Sequence, residues 1–345
     1  MKISTPAPTL LLAFLFFQIQ TLAAQPFVAD IQLDSDKTSR VELLSYNADN
    51  ITVQIIGQPG KIRIGQKQIK KVDILPSKKW QEAQIAIQKN QPQKAELLLK
   101  QIATEIRPLA VIKNSNVDTY LFAYTDFLRS QKQFEKIANF LESNPLPKNA
   151  AIHSRTHALI LAAYSQACLG QFEKAEIALN KIKAPSTSSD FFTFYQLAYA
   201  QTAFQRKDYL LALNELSKVI ALKRPQSDFY DEALFRIAET YEAIVQNITK
   251  QQKVIAEDKR LQRLFRQNRA DATKHFELIK SDPLQLLSLW DNPEDYANCA
   301  TSARLQLCRI RSESPWALEA KKLLSDDERK LLEASYTTNA DDSKN

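Results

Sequence analysis

Glycine is scarce in this chain and unevenly placed. Only four of the 345 residues are glycine, at 57, 60, 65 and 170, so three of them fall in one short N-terminal segment. Glycine takes positive φ without strain and lets a backbone approach a ligand closely. Its absence from 66 to 169 and from 171 to 345 argues against Gly-rich phosphate loops, dinucleotide-binding turns and nucleophile elbows. Most familiar enzyme scaffolds need one of these. The formal charge of +7, from 46 basic and 39 acidic residues with the signs interspersed, points to no particular partner.

The N-terminus predicts export. Lys2 precedes an apolar run from Leu10 to Phe17, and the small-residue stretch from Thr21 to Ala24 closes it. This is the layout of a secretory signal peptide over residues 1–23, with cleavage after Ala23 or, as an alternative, after Ala24. The run is too short to span a bilayer, which takes about 20 apolar residues. No cysteine at the cleavage point offers a lipid anchor, and no later stretch reads as a transmembrane segment. The expectation is a soluble exported protein, periplasmic or secreted. In that oxidising setting three cysteines permit one intrachain bridge at most. Cys299 and Cys308 lie nine residues apart in a helical stretch. That spacing is roughly 13 Å along a helix axis, beyond the 7 Å Cα limit for a disulfide, so they are not expected to pair.

Residues 24–76 differ from the rest. The runs 40–46, 51–56, 61–64 and 68–74 are short, rich in β-branched residues and partly alternating. Asn47–Asn50, Gly57–Gly60 and Gly65–Lys67 separate them with turn residues. The pattern predicts four strands, or five if Ile31–Leu33 also pairs, in a small β-barrel-like module or curled sheet. From Ser77 onward the chain predicts helix after helix, over 77–283, with C-terminal capping helices over 284–336 and a disordered polar tail over 337–345.

A register runs through the helical part. A small residue recurs at Ala83, Thr125, Ala163, Ala200 and Ala238. Twelve residues after the first four stand Ala95, Ile137, Ala175 and Ala212, and four further on Leu99, Leu141, Leu179 and Leu216. Phe134, Phe172 and Tyr209 each precede a second helix. The fifth unit starts normally but its second half is delayed to Ala272, Phe276 and Ile279, after an inserted charged stretch.

On these residues the chain resembles the tetratricopeptide (TPR) repeat family, most closely in the tandem segments Ala162–Ile182 and Leu197–Leu216. Small residues at the crossing let two helix backbones approach, while the leucine and the aromatic ring fill the space toward the next unit. The N-terminal module resembles SH3-like or Sm-like modules by hydrophobic rhythm, and Ser314–Leu324 resembles the terminal repeats of periplasmic TPR proteins of outer-membrane assembly and cell-division coordination. The resemblance implies a mainly α fold, a TPR-like α-α superhelix (solenoid) of about five units. It also implies a non-catalytic scaffold or adaptor that binds a peptide or helix of an envelope protein in a concave groove. The groove positions are Phe122, Asp126, Arg129, Ile160, Tyr164, Leu197, Gln201, Phe204, Phe235 and Glu239. The asparagine position of TPR carboxylate clamps is occupied by Asp126, Tyr164, Gln201 and Glu239, so capture of a free C-terminal carboxylate is not expected.

The residues that carry chemistry are sparse. His153 and His157 share a helix face but lack the second-position glutamate that zincins use as base, and no carboxylate cluster near them in sequence completes a metal site. They read as surface or groove side chains, and His275 as part of a charged helix. Cys168 and His157 are eleven residues apart, roughly 16 Å on a helix, too far for thiolate activation. Cys168 reads as a semi-buried structural thiol. Asp326, Asp327, Asp341 and Asp342 read as solvated. No cofactor, metal or catalytic set is legible. Arg260, Arg263, Arg266 and Arg269, within the basic stretch 250–274, form a solvated helix face or a contact for an anionic partner, either an acidic protein or peripheral lipid headgroups. Nucleic acid is not expected for an exported chain. Two other readings compete: an accessory subunit or hydrolase with an unrecognised site, and a purely architectural envelope protein.

Overall fold

The structure, a computed structural model, describes residues 27–257 and 292–342 apart from 36, 187–190 and 226. The predicted signal peptide, the four arginines from Arg260 to Arg269, His275 and the delayed second half of the fifth unit lie outside the described residues.

Five strands come first: β1 (Phe27–Leu33), β2 (Thr38–Tyr46), β3 (Asn50–Ile55), β4 (Ile62–Gly65) and β5 (Ile69–Ile74). All neighbours are antiparallel, in the order β4-β3-β2-β1-β5. Successive side chains of a strand face opposite ways, and the buried set Ala29, Ile31, Val41, Leu43, Ile51 and Val53 follows that alternation. β1, the strand that the sequence left open, pairs on both sides.

Of the two forms expected from the sequence, a barrel-like module and a curled sheet, the strands form the sheet and do not close into a barrel. β4 and β5 are joined by only three residues, Gln66–Gln68, so their facing ends stay within about 14 Å and the sheet curls. They do not pair, because the outer edge of β5 is taken by a loop. The Val72 amide donates to the Asn114 carbonyl, at 2.9 Å, and the Asn116 amide to the Val72 carbonyl, at 3.2 Å. The Gln66 side chain donates to the Val111 carbonyl, and the Tyr120 hydroxyl to that of Ile74, which fastens the sheet to the first helices.

Ten helices carry the chain onward: α1 (Lys78–Gln88), α2 (Pro92–Ile106), α3 (Val117–Leu121), α4 (Ala123–Ser130), α5 (Phe134–Ser143), α6 (Ile152–Cys168), α7 (Phe172–Leu179), α8 (Phe192–Gln205), α9 (Tyr209–Leu222) and α10 (Asp228–Glu257). α1 pairs with α2, α4 with α5, α6 with α7 and α8 with α9. The register residues sit at the crossings: Ala83, Thr125, Ala163, Ala200 and Ala238 are at most 1% exposed, and Ala95, Ile137, Ala175 and Ala212 are fully buried.

The four hairpin turns share one geometry. Seven residues after each of the first four small residues stands a residue with positive φ: Asn90 (52°), Lys132 (57°), Gly170 (77°) and Lys207 (65°). The next amide reaches back five residues, from Gln91 to Ala86, Gln133 to Leu128, Gln171 to Gln166 and Asp208 to Ala203, at 2.8 to 2.9 Å. The positive-φ residue itself bonds back three, which completes a Schellman cap on each first helix. The fifth unit departs here, since the equivalent position, Val245, lies inside the unbroken helix α10.

α11 (Pro293–Ile310) packs along α10, followed by α12 (Pro315–Lys322), capped by the Ser314 hydroxyl, and α13 (Asp326–Asp342). Helix α13 continues past residue 337 to Asp342. Acidic residues at its N-terminus suit the helix dipole, and the pairs Asp326–Arg329 and Asp327–Lys330 support its first turns. One apolar core runs without a break from Ala29 in the sheet to Ala233 in α10. A second, around Trp316 and Leu307, joins α10 to the C-terminal helices.

Candidate functional site

Seven of the ten groove residues expected from the sequence are buried, Phe122 among them at 4% exposed. The other six are Arg129, Ile160, Tyr164, Leu197, Gln201 and Phe235, none more than 6% exposed. Arg129, Tyr164 and their neighbours are covered by α10, whose Glu232 pairs with the Arg129 guanidinium and accepts the Tyr164 hydroxyl. Arg129 also donates to Asp126 at 2.8 Å, and its guanidinium lies 4.4 Å from the Phe229 ring. One turn along α10, Arg236 donates to Glu239 at 2.8 Å and to the Cys168 sulfur at 3.5 Å. Aromatic rings and paired charges thus fill this part of the inner surface. Phe204 and Glu239 stay partly exposed, yet the slit they line with Tyr164 and Leu197 measures only about 10 Å³, the size of one water.

Phe122 and Asp126 belong to a different space. A groove of about 480 Å³ opens beside the filled region. Its walls come from α1 (Trp80, Gln84, Ile87), α3 (Asp118), α4 (Asp126, Phe127), α6 (His157), α8 (Phe194) and α10 (Asp228, Phe229). The first helix of every hairpin therefore contributes. Trp80, Gln84, Phe127 and Phe229, which the sequence did not single out, are partly exposed, and Ile87 is 42% exposed.

The two histidines of α6 were expected to lack a carboxylate, and the fold supplies one. Asp118 Oδ2 lies 3.6 Å from His153 Nε2 and 3.8 Å from His157 Nδ1, while Asp118 Oδ1 accepts the Ser154 hydroxyl at 2.6 Å. Spacing gave no signal for it, because Asp118 stands on another helix. Ser154, His153 and Asp118 are not in relay order: serine and aspartate address the same imidazole nitrogen, and the serine proton points to the aspartate. The His157 ring is packed against Phe122, Phe194 and Phe191, with centroids 4.2, 5.2 and 5.8 Å away, and its Nε2 is buried without a hydrogen-bond partner. Among the described residues no group of three His, Cys, Asp or Glu side chains is disposed to hold a metal.

Burial pushes the Cys168 thiol up to about 12 even though Arg236 pulls the other way, so it is protonated at neutral pH. All three cysteines are free thiols. A second, larger hollow of about 750 Å³ lies between α5 and α6, lined by Leu141, Leu146 and Leu159 among charges of both signs. No helix among the described residues is long and apolar enough to cross a membrane. No family model, curated protein or solved structure matches the chain.

Proposed function

We propose that this chain is a non-catalytic, exported protein of the TPR-like class that holds a segment of another protein in the groove between α1 and α10. The observation that carries the reading is that this groove is walled by the first helix of each hairpin, the surface that such repeat arrays use for peptides. The tandem small-residue register and the shared turn geometry support the same class. The predicted signal segment supports a periplasmic or otherwise extracytoplasmic place of action.

Recovery of a protein partner from the native compartment tests the reading. A photo-reactive amino acid at Gln84 is expected to crosslink a partner, and Ile87→Ala with Phe127→Ala to abolish that product. The same substitution at Leu97, 58% exposed on α2 away from the groove lining, serves as the control. Crosslinking unchanged by the groove pair and reduced by the control would remove the groove from the function. Tyr164 is unsuited to such a test, since its loss would disturb the buried Glu232 network.

A further inference from the structure

We propose that the segment held in the groove is basic, presenting a lysine or arginine side chain between apolar neighbours; this rests on the protein-holding reading above. The ionisable side chains of the groove lining are Asp118, Asp126, Asp228 and His157, with neither lysine nor arginine, in a chain whose formal charge is +7. The groove therefore offers an incoming cation carboxylates and no basic side chain in its lining.

The carboxylates are not fully used within the chain. Asp126 and Asp228 face Arg129 and Arg311, yet each side chain keeps 45% of its surface open. Asp118 is the more enclosed, at 18%. The rings of Trp80, Phe127 and Phe229 line the same groove. Cations already pack on one of these rings: the Arg129 guanidinium and the Lys223 ammonium lie 4.4 and 5.5 Å from the centre of Phe229. Phe229 is thus already occupied, and a partner's lysine or arginine would lay its stem against Ile87 and Phe127 with its head on the open surface of Asp126 and Asp228. The lining itself offers no lysine or arginine to a phosphate.

Two synthetic amphipathic peptides with the same apolar positions, one carrying lysine and arginine and the other glutamate, test the proposal against the full mature chain. The basic peptide is expected to bind and the acidic one not. The combined Asp126→Asn and Asp228→Asn variant should bind the basic peptide about tenfold more weakly, about 1.4 kcal/mol shared between two exposed ion pairs. Raising the salt should weaken binding in the parent more than in this variant. Because Asp126 also supports Arg129, Phe127→Ala provides a second reading that leaves every charge in place, and it too should weaken binding, with circular dichroism verifying the fold of each variant. Equal binding of both peptides, or basic-peptide binding untouched by all three substitutions, overturns the proposal. If the basic peptide fails to bind while a Gln84 crosslink captures a partner through a neutral or acidic segment, the basic preference falls and the protein-holding reading stands. If neither peptide nor partner is captured, both fall.

Discussion

Lys207 and Gly170 occupy equivalent turns with φ of 65° and 77°, but only one is the residue that this backbone favours. The left-handed conformation costs an L-residue roughly 1–2 kcal/mol, partly offset by the greater chain entropy that glycine loses on folding. Lys207→Gly is therefore expected to stabilise the protein by about 0.5–1 kcal/mol. Gly170→Ala, with nothing within 4 Å of the added methyl, should cost about 1 kcal/mol from backbone strain alone. Denaturant unfolding of the two variants measures both, and a destabilised Lys207→Gly would contradict the strain argument. Asp231 makes a pH prediction. Its side chain is fully buried 3.2 Å from Arg311, and burial pushes its carboxyl from 3.8 up to about 6 against the pull of that arginine. The folded state thus holds the proton more tightly than the unfolded one. The associated stability is complete below the unfolded value of 3.8 and is lost as pH rises through about 6. Asp231→Asn is expected to exceed the parent by about 1–3 kcal/mol near neutral pH, the difference shrinking toward pH 4. A difference that does not change with pH would refute this.

Helix α10 decides which part of the inner surface stays open. Glu232 carries the only acidic group that touches both Arg129 and Tyr164 among the described residues, and it lies within 4.0 Å of Arg236. Glu232→Gln leaves the buried Arg129 and Arg236 guanidinium groups with only the partly exposed Asp126 and Glu239 as counterions, which is expected to cost about 3 kcal/mol. The measurement is the unfolding free energy, compared with Asp126→Asn, whose carboxylate is 45% exposed and should cost about 1 kcal/mol or less. Similar losses for the two would mean that the buried pairing does not hold α10 in place. The C-terminal helices reinforce the same element, with Trp316 packed on Phe235, ring centroids 5.3 Å apart, and Lys132 lying 4.6 Å from the Trp316 ring.

Across the whole molecule, the sheet and the helices share one core, so the N-terminal strands are part of the helical fold's stability. Ile51→Ala, at a fully buried position in β3, is expected to cost about 2–5 kcal/mol and to lower the midpoint of the helical circular dichroism transition. A helical transition left unchanged would show that the sheet unfolds separately.

The strands, the helices and the crossing positions were legible in the sequence because each is a local pattern: alternation of two along the sheet, and small residues recurring at Ala83, Thr125, Ala163, Ala200 and Ala238. The positive-φ turns were partly hidden, since Asn90, Lys132 and Lys207 do there what glycine does at 170, and the scarcity of glycine masked a shared cap. The loop that takes the outer edge of β5, the Asp118 partner of His153 and His157, and the pairing of Arg129 and Tyr164 with Glu232 were not legible at all. Each depends on residues far apart in the chain, as with Arg129 and Glu232, which are 103 positions apart. By itself the sequence determined the helical class, the hairpin register and the residue types available to the inner surface. Only the tertiary structure decided which of those residues are buried in paired charge and which face a groove, because Glu232 of α10 closes on Arg129 and Tyr164 while Asp126 keeps an open surface.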